Sequence, residues 1–473
     1  MDSSETSETS KTCETETRRS AGRFGGRKAA VAVAVLVVAA VAGGLLTLGP
    51  DDVPPSAAPV IRADTVTGAG APAAAGDLSA LIDERQKALR EHPDDDASWT
   101  VLGTAYLEQA RRTADPSYYP KSEQALGRSL KLRSAAGGNY AAMVGMGALA
   151  NARHDFAGAR KWGERVRAAE PLRWTVYPVL IDAYTQLGAY DDATAAVQRL
   201  LDLRPGLPAF TRAAYELEMH GRTGEAKSAL EQAVGVAGSP AETSFCLHRI
   251  GELAWERGDV RGALRSYEAA LRADPDSHPA LAARARARAA LGDTEAALRD
   301  YREVTGRVPL PEYVLALGEL YESLGRGAEA REQYEVLRAE VKLFAAAGVS
   351  DDLTLGLFEA DHGDPKAAVR TLQDEWRRRK SVLVADALGW ALHRAGRDAE
   401  ALPYARKAAG IGWRGASFSY HRGEIERALG MRAAARAHLG EALKLNAHFS
   451  PLQAPAARKA LDALDKGKGQ DEA

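Results

Sequence analysis

The amino-acid sequence predicts an all-α protein in which about ten helix-turn-helix repeats stack into a superhelical solenoid, preceded by one transmembrane helix. Three observations support this prediction: a helical phrase that recurs about every 34 residues, a glycine in phase with it, and an uncharged apolar run near the N-terminus. The 473 residues are 45% hydrophobic and 27% charged, so the chain has the composition of a folded protein. One long array replaces the three ordinary domains that this length suggests.

The N-terminal region predicts a membrane anchor. Residues 1–28 are rich in Ser, Thr and Glu at first and are expected to form a disordered cytoplasmic tail. Residues 29–48 (Ala29–Leu48) then carry no charge, and as a helix they span about 30 Å, the thickness of a bilayer's hydrocarbon core. Asp51 and Asp52 follow this run, and five cations precede it: Arg18, Arg19, Arg23, Arg27 and Lys28. The positive-inside rule therefore places the N-terminus in the cytoplasm and the rest of the chain on the extracytoplasmic side.

A cleaved signal peptide, and hence a secreted protein, is the alternative to this single-pass topology. The apolar region of a signal peptide usually has about 7–15 residues, which is shorter than the run observed here. The sequence that follows, Thr47-Leu48-Gly49-Pro50, is also a poor cleavage site. The uncleaved anchor is therefore the preferred interpretation.

Two further segments are predicted to lie outside the folded array. Residues 49–77 are rich in Pro, Ala and Gly and have few large apolar side chains, which is typical of a linker. Residues 466–473 form a short charged tail that we expect to be disordered. Arg outnumbers Lys by 47 to 15 across the chain, a bias that suggests GC-rich coding and a bacterial source of the actinobacterial type.

The repeat is visible from two independent markers. The phrase Ala-x-x-x-large-x-x-Ala recurs at intervals of 33 to 38 residues, its first Ala standing at Ala125, Ala159, Ala193, Ala226, Ala263, Ala297, Ala330, Ala368, Ala401 and Ala435. A Gly stands five residues before this Ala in eight consecutive units, at Gly188, Gly221, Gly258, Gly292, Gly325, Gly363, Gly396 and Gly430. Such a Gly supplies the left-handed residue that ends the first helix of a hairpin. Each unit is therefore predicted to be a pair of antiparallel helices.

The residues around these markers resemble the tetratricopeptide repeat (TPR) family. The motif Trp-x2-Leu-Gly-x2-Tyr begins at Trp99 and ends at Tyr106, and Leu317-Gly318-x2-Tyr321 is a second close match. The resemblance covers residues 99–451 in ten units and implies a TPR solenoid over residues 78–465. Leu78–His92 and Ala454–Leu464 are expected to cap its two ends, because the terminal units of a solenoid need a polar outer face.

Three departures from the repeat pattern and one charged run stand out. An insertion follows the first helix of the first unit around Asp115, and His154 replaces the turn Gly in the second unit. Arg284 occupies a position that is normally a buried Leu, so we expect it to loosen the sixth unit or to extend its charge to water. The run Arg377-Arg378-Arg379-Lys380 is expected to be a solvated helix end, because cations there interact favourably with the helix dipole.

Composition and motifs exclude most catalytic and nucleic-acid-binding functions. The formal net charge of −2 lacks the basic excess of a dedicated nucleic-acid binder. Cys13 and Cys246 are too few for a disulfide framework or a cysteine zinc site. The ten histidines show no metal-ligand spacing, and no nucleophile–base arrangement is apparent. We therefore expect no catalytic residues, no metal, no cofactor and no enzymatic activity.

The family resemblance implies that function resides in a concave groove lined by the first helix of each unit. Aromatic and Arg side chains commonly anchor protein interfaces. The corresponding positions here are Tyr215, His248, Glu252, Trp255, Arg286, Glu319, Glu322, Trp390, His393, Tyr420 and Arg427. The predicted function is a membrane-anchored scaffold that binds peptide or protein partners outside the cytoplasm; the alternative is an accessory protein of envelope biogenesis or transport that handles a polymer or a secreted client.

One family-specific binding mode is excluded by the same mapping. The chaperone type of TPR groove holds a peptide's terminal carboxylate with Lys and Asn side chains at matched positions. The Lys position here holds residues such as Thr100, Pro178, Leu315 and Asp386. We therefore expect no carboxylate clamp of that type.

Overall fold

The structure is a computed structural model that describes residues 75–466, with side chains from Leu78 onward. The predicted cytoplasmic tail, the predicted transmembrane helix and nearly all of the predicted linker lie outside the described residues. Residues 75–466 contain 22 α-helices, one short 3-10 turn and no strand, so the all-α solenoid is confirmed. None of these helices is both long enough and apolar enough to cross a bilayer.

Ten helical hairpins follow one leading helix and precede one closing helix. The leading helix α1 is Ala75–Glu91, three residues longer at its start than predicted, and the closing helix α22 is Gln453–Lys466. The first five hairpins, units 1 to 5, are α2 Asp96–Thr113 with α3 Tyr118–Leu132, α4 Tyr140–Ala152 with α5 Phe156–Ala169, α6 Val176–Leu187 with α7 Tyr190–Leu203, α8 Leu207–Met219 with α9 Thr223–Gly235, and α10 Pro240–Glu256 with α11 Val260–Ala273. Units 6 to 10 are α12 His278–Ala290 with α13 Thr294–Arg307, α14 Pro311–Ser323 with α15 Gly327–Ala346, α16 Asp352–His362 with α17 Pro365–Arg378, α18 Val382–Arg394 with α19 Asp398–Ala408, and α20 Ala416–Ala428 with α21 Arg432–Leu445.

Turn residues and small residues explain why each unit folds as a tight hairpin. The turn glycines other than Gly363 adopt left-handed backbone angles, for example φ 78° at Gly188 and φ 73° at Gly325. Asp155 and Asp259 then cap second helices by accepting hydrogen bonds from backbone N–H groups three residues later. On the first helix of unit 7, a Cβ at Gly318 would lie 2.4 Å from the Tyr334 ring, so a second-helix side chain packs directly on this helix's backbone.

The first helices lie on the inside of the curve. Nearly every helix packs closely against the next in the chain, and the first helices of most successive units also contact one another, whereas the second helices do so much less. The core runs along the stack as a series of apolar clusters, and the three largest span units 1 to 4, units 6 to 8, and unit 8 to the closing helix. Stacked hairpins that bury their apolar stripes only against each other are the organisation expected of a repeat array.

The coil meets itself after one turn. Hydrogen bonds join residues 191 to 196 positions apart, from the hairpin turns of units 2, 3 and 5 to the junctions that follow units 7, 8 and 10. Unit 4 makes a similar approach, since a Cβ at Gly221 would lie 2.9 Å from the Gly412 carbonyl oxygen. We call this line of contacts the seam. The seam closes the side of the groove between successive turns of the coil.

Candidate partner-binding groove

All eleven residues predicted for the groove lie on first helices. Units 4 and 5 supply Tyr215 from α8 and three residues from α10; units 6 and 7 supply Arg286 from α12 and two from α14; units 9 and 10 supply two each from α18 and α20. Since the first helices form the inner side of the curve, the family resemblance placed these residues on the inner helices. Their side chains fall into three clusters.

The central cluster is a ladder of ion pairs across units 4 to 6. Arg249 Nη2 lies 2.7 Å from Glu218 Oε2, and Arg286 Nη2 lies 2.7 Å from Glu252 Oε1. The same Glu252 oxygen accepts a hydrogen bond from the Tyr267 hydroxyl at 2.7 Å. These ion pairs join neighbouring first helices, so part of the charge in the groove stabilises the packing of the helices that line it. The Arg286 side chain is nevertheless 34% exposed, so it is accessible from the groove.

Burial and neighbouring charged side chains together set the pKa values in this cluster. Burial alone would raise the pKa of Glu252, but Arg286 and His248 hold that pKa at about 2, so the carboxylate stays charged. Burial lowers the pKa of His248 to about 4, which leaves the imidazole neutral near pH 7. Burial also raises the pKa of Glu256 to about 7, and the nearby Glu252 and Glu218 add to this rise. Glu256 is therefore the group in this cluster that titrates near neutral pH.

The second cluster surrounds His362 in units 7 and 8. His362 Nε2 lies 3.3 Å from Glu319 Oε1, and its Nδ1 lies 3.3 Å from Glu322 Oε2. Glu322 also accepts a hydrogen bond from the Tyr334 hydroxyl at 2.7 Å. Burial opposes protonation of His362, but the two glutamates outweigh it and raise the histidine's pKa. This part of the groove surface is acidic, and 44% of the Glu322 side chain is exposed.

The third cluster is aromatic and lies in units 9 and 10. The Trp390 ring packs 5.0 Å from His393 and 5.5 Å from Tyr420, measured between ring centroids. Its indole N–H donates to Asp361 Oδ1 at 3.0 Å. Arg427 is the exposed member, and it pairs with Glu424 at 2.6 Å. His393 Nδ1 lies 2.5 Å from Asp398 Oδ1, so this histidine is held by a neighbouring second helix.

Three predicted aromatic anchors are more buried than expected. Trp255 and Trp390 are each 3% exposed and Tyr420 is 6% exposed, because they fill gaps between successive helices of the stack. Most of each ring is therefore core, and little of it is left for contact with a partner. Tyr215 is partly exposed, and its ring lies edge-on to Trp413 across the seam at 6.4 Å. These residues shape the groove wall, whereas Arg286, Glu319, Glu322 and Arg427 present charge at its surface.

Two cavities extend the groove beyond the predicted residues. One of about 360 Å³ lies beside Trp255, Arg286 and Glu319, opposite Phe449 and Arg458 from the closing end of the array. A larger one of about 510 Å³ lies between units 2 to 4 and units 7 to 9, with lining residues that include Asn151, Asp182, Thr185, Arg212 and Leu353. None of the eleven residues predicted for the groove lies in units 1 to 3. Gly147 fixes the register of the repeat in unit 2, so counting from it could have extended the mapping to that unit's first helix.

The described residues offer no metal site, since no group of three His, Cys, Asp or Glu side chains in residues 75–466 is arranged to hold an ion. Cys246 is a free, fully buried thiol whose pKa is raised to about 12 by burial, so it is chemically inert. The side chains that face the groove are thus suited to hydrogen bonds, ion pairs and aromatic contacts.

Comparison with known proteins agrees with the repeat. The family model described as tetratricopeptide repeat matches residues 248–291 and 282–342, which are units 5 to 7. No curated protein sequence matches the chain significantly.

Solved structures with similar helical repeats include the hetero-tetramer Cut9–Hcn1 of the APC/C, at 16% identity and TM-score 0.41 over 81% of each chain. The human IFIT1 dimer with PPP-AAAA is similar at 16% identity and TM-score 0.45, over 70% of this chain and 77% of that one. A tetratricopeptide repeat protein from Parabacteroides merdae ATCC 43184 has 19% identity and TM-score 0.33, over 54% of this chain and 97% of that one. At these identities the likeness concerns the fold alone.

The matched units 5 to 7 share their design with the other hairpins. Positive-φ turn residues end the first helices of units 2 to 7, 9 and 10, and a helix glycine faces a second-helix side chain in units on either side of the match. The family model thus identifies tetratricopeptide repeats over residues 248–342, and the other hairpins of the described chain have the same helical design.

Proposed function

We propose that this protein is a scaffold that binds peptide or protein partners in the groove formed by its first helices. Proteins built from tetratricopeptide repeats generally act as protein-interaction scaffolds. The observation that supports this function most is the groove surface itself. The side chains of Glu322, Arg286 and Arg427 are at least partly exposed, and the Arg286 guanidinium lies 4.3 Å from the centroid of the Trp255 ring. Such combinations of charged and aromatic side chains suit contacts with polypeptide side chains.

Site-specific photocrosslinking tests this function. A photoreactive phenylalanine analogue replaces Glu322 on the first helix of unit 7, and in a matched variant it replaces Arg331, which is exposed on the second helix of the same unit. The proposal requires discrete protein adducts from position 322 and few from position 331. Equal labelling from both helices, or adducts that contain polysaccharide rather than protein, would rule out a polypeptide-binding groove.

The proposed scaffold is tethered to the membrane by residues 29–48, with the repeats on the extracytoplasmic side. The uncharged run and the five preceding cations support this topology. Protease added to intact spheroplasts should digest the repeats and spare the N-terminal tail. Protected repeats would reverse the orientation, and a soluble mature protein that lacks residues 1–48 would favour cleavage and secretion.

We propose further that the scaffold acts without catalysis. The groove charges are engaged in ion pairs between helices, such as Glu252 with Arg286, rather than in a nucleophile–base arrangement. The purified protein should show no hydrolytic turnover of peptide, ester or glycoside substrates, and reproducible turnover would contradict this part of the proposal.

A further inference from the structure

The hairpin turn of unit 2 differs from the others in a way that points to the seam. His154 stands where units 3 to 10 have Gly, and it adopts φ 62°, a left-handed angle that disfavours residues with a Cβ. Its Nδ1 lies 3.0 Å from the carbonyl oxygen of Ser350, 196 residues later in the chain. The Ser350 backbone N–H in turn donates to the Arg153 carbonyl oxygen at 3.2 Å. An unfavourable local conformation is therefore combined with a contact between successive turns of the coil.

The second helix of unit 7 reaches the same place. At 20 residues α15 is the longest helix of the described part of the chain. Its additional length brings Phe344 and Ala347, followed by Val349, against the apolar core of units 1 to 4. Leu343, one residue before Phe344, is 52% exposed on another face of the helix. The extended end of α15 and the residues after it thus reach unit 2, one turn of the coil away.

A buried arginine from the junction after unit 8 completes the contact. Arg379 is only 6% exposed, although the sequence predicted a solvated run, and Arg377 and Arg378 beside it are indeed exposed. Its guanidinium lies 4.9 Å from the centroid of the Phe156 ring in unit 2 and donates to Gln186 Oε1 in unit 3. Its own-helix partner Glu375 is also buried. Burying an arginine is costly unless it is paired in this way.

We propose that these contacts form a clasp that holds one turn of the coil to the next and releases as one unit while the repeats stay folded. Neighbouring units share continuous apolar cores, whereas the clasp joins turns and helix ends through single hydrogen bonds and one small apolar patch. Regions with few buried apolar contacts open first. The clasp is therefore the part of the seam expected to open below the free energy of global unfolding.

Release of the clasp would change access to the groove, because the clasp lies beside a groove cavity. The 510 Å³ cavity lies directly inside it, lined by His154, Phe156 and Gln186 on one turn and by Leu353 and Arg379 on the other. Because clasp residues form part of the cavity's side wall, release would open the groove laterally. That consequence depends on the proposed partner-binding function, whereas the release itself does not.

Hydrogen exchange of the full-length protein measures the release without any partner. The N–H of Val382 is the first of α18, where a helix leaves its N–H groups unpaired, and it donates across the seam to the Tyr190 hydroxyl at 2.8 Å. Val382 thus contacts unit 3 through Tyr190, whereas His154 of unit 2 contacts Ser350. Its exchange rate, together with that of Ser350, therefore reports whether distant parts of the seam open together.

The main variant is His154→Gly, which removes the imidazole contact and leaves a residue that prefers the left-handed turn. We expect the amides of Ser350 and Val382 both to exchange about tenfold faster, corresponding to about 1.4 kcal/mol, while amides within α4 and α5 keep their protection. Faster exchange at Ser350 alone would show independent contacts and overturn the clasp. Unchanged exchange at both amides would overturn it as well.

A second pair of variants tests the clasp from the opposite side. Val349→Ala should accelerate exchange at Val382, whereas Leu343→Ala, which removes an exposed side chain from the same segment, should not. Equal effects of the two substitutions, or acceleration spread throughout α15 and α16, would show unfolding of unit 7 and would refute release as a unit. Photocrosslinking from position 322 separately tests partner binding, so the two proposals fail independently.

Discussion

Replacing two turn glycines by alanine, one at a time, distinguishes the stability lost through turn strain from the stability lost through a clash across the seam. Gly188 and Gly325 have nearly the same left-handed backbone, at φ 78° and φ 73°. An alanine in this conformation costs about 1–2 kcal/mol at either position. At Gly188 the new Cβ would lie 2.4 Å from the Lys380 carbonyl oxygen, whereas at Gly325 no atom lies within 4 Å. The seam is thus the structural difference between the two sites.

The additional cost at position 188 follows from the overlap. The contacting oxygen belongs to the backbone, so the Lys380 turn must move, and overpacking of this kind costs about 1–3 kcal/mol. We therefore expect Gly188→Ala to destabilise the protein by about 1–3 kcal/mol more than Gly325→Ala. The extra loss is limited by the free energy that holds the seam, because beyond that limit the seam would open instead.

Urea denaturation followed by circular dichroism measures this difference, with hydrogen exchange at Val382 as the local readout. The Gly188→Ala protein should have the lower midpoint, the faster Val382 exchange, or both. If the two variants lose the same stability and Val382 exchange is unchanged in both, turn 188 does not touch turn 380 in solution. That result would refute the reasoning.

Three further substitutions test individual charges. Glu256→Gln should stabilise the protein by about 1–3 kcal/mol at pH 8 and have little effect at pH 4. The pKa of Glu256 is about 7 in the folded protein and 4.5 as a reference, so ionisation of its carboxyl destabilises the fold increasingly as pH rises between these values. Urea titrations at both pH values check this, and a larger gain at pH 4 would contradict the sign. Asp300→Ala should lower the free energy of unfolding by about 3 kcal/mol, because Arg284, which lies 2.8 Å from that buried carboxylate, loses its partner. A decrease of less than about 1 kcal/mol in urea denaturation would show that the pair is unimportant. Arg379→Lys should lower the thermal midpoint by several degrees, because lysine lacks the planar guanidinium that lies between Phe156 and Gln186. The control Arg377→Lys, at an exposed position of the same run, should leave the midpoint unchanged. Equal effects of the two substitutions would argue against a specific role for Arg379.

Contacts within about 40 residues were predictable, since they determine the repeat itself. The phase of the turn glycines and of the marker Ala gave ten hairpins and two capping helices at nearly the observed bounds. Arg284 was the exception: it neither loosens unit 6 nor extends to water, but pairs with Asp300, which lies 16 residues later on the facing helix. A lone arginine in a pattern does not reveal its partner until the two helices are placed.

Contacts across the seam were not predictable from the same pattern. A period of about 34 residues describes each unit and its neighbour, whereas the seam joins residues about 190 apart, and its position depends on small rotations that accumulate over several units. The burial of Arg379 was missed for this reason. Two signals were nevertheless present in the sequence: His154 in place of a turn Gly, and the long interval between Ala330 and Ala368, which reflects the extended α15.

The most direct test of this account is a distance measured across the seam in solution. Spin labels at the exposed positions Asp191 and Lys380 would be compared by double electron–electron resonance, in a protein whose Cys13 is replaced by Ser and whose buried Cys246 is retained. A coil that closes on itself predicts a dominant distance below about 20 Å, roughly two helix diameters. An open stack of five intervening hairpins would separate the labels by about 50 Å at the usual interhelical spacing. A dominant distance in that longer range would contradict the closed coil and the clasp built on it.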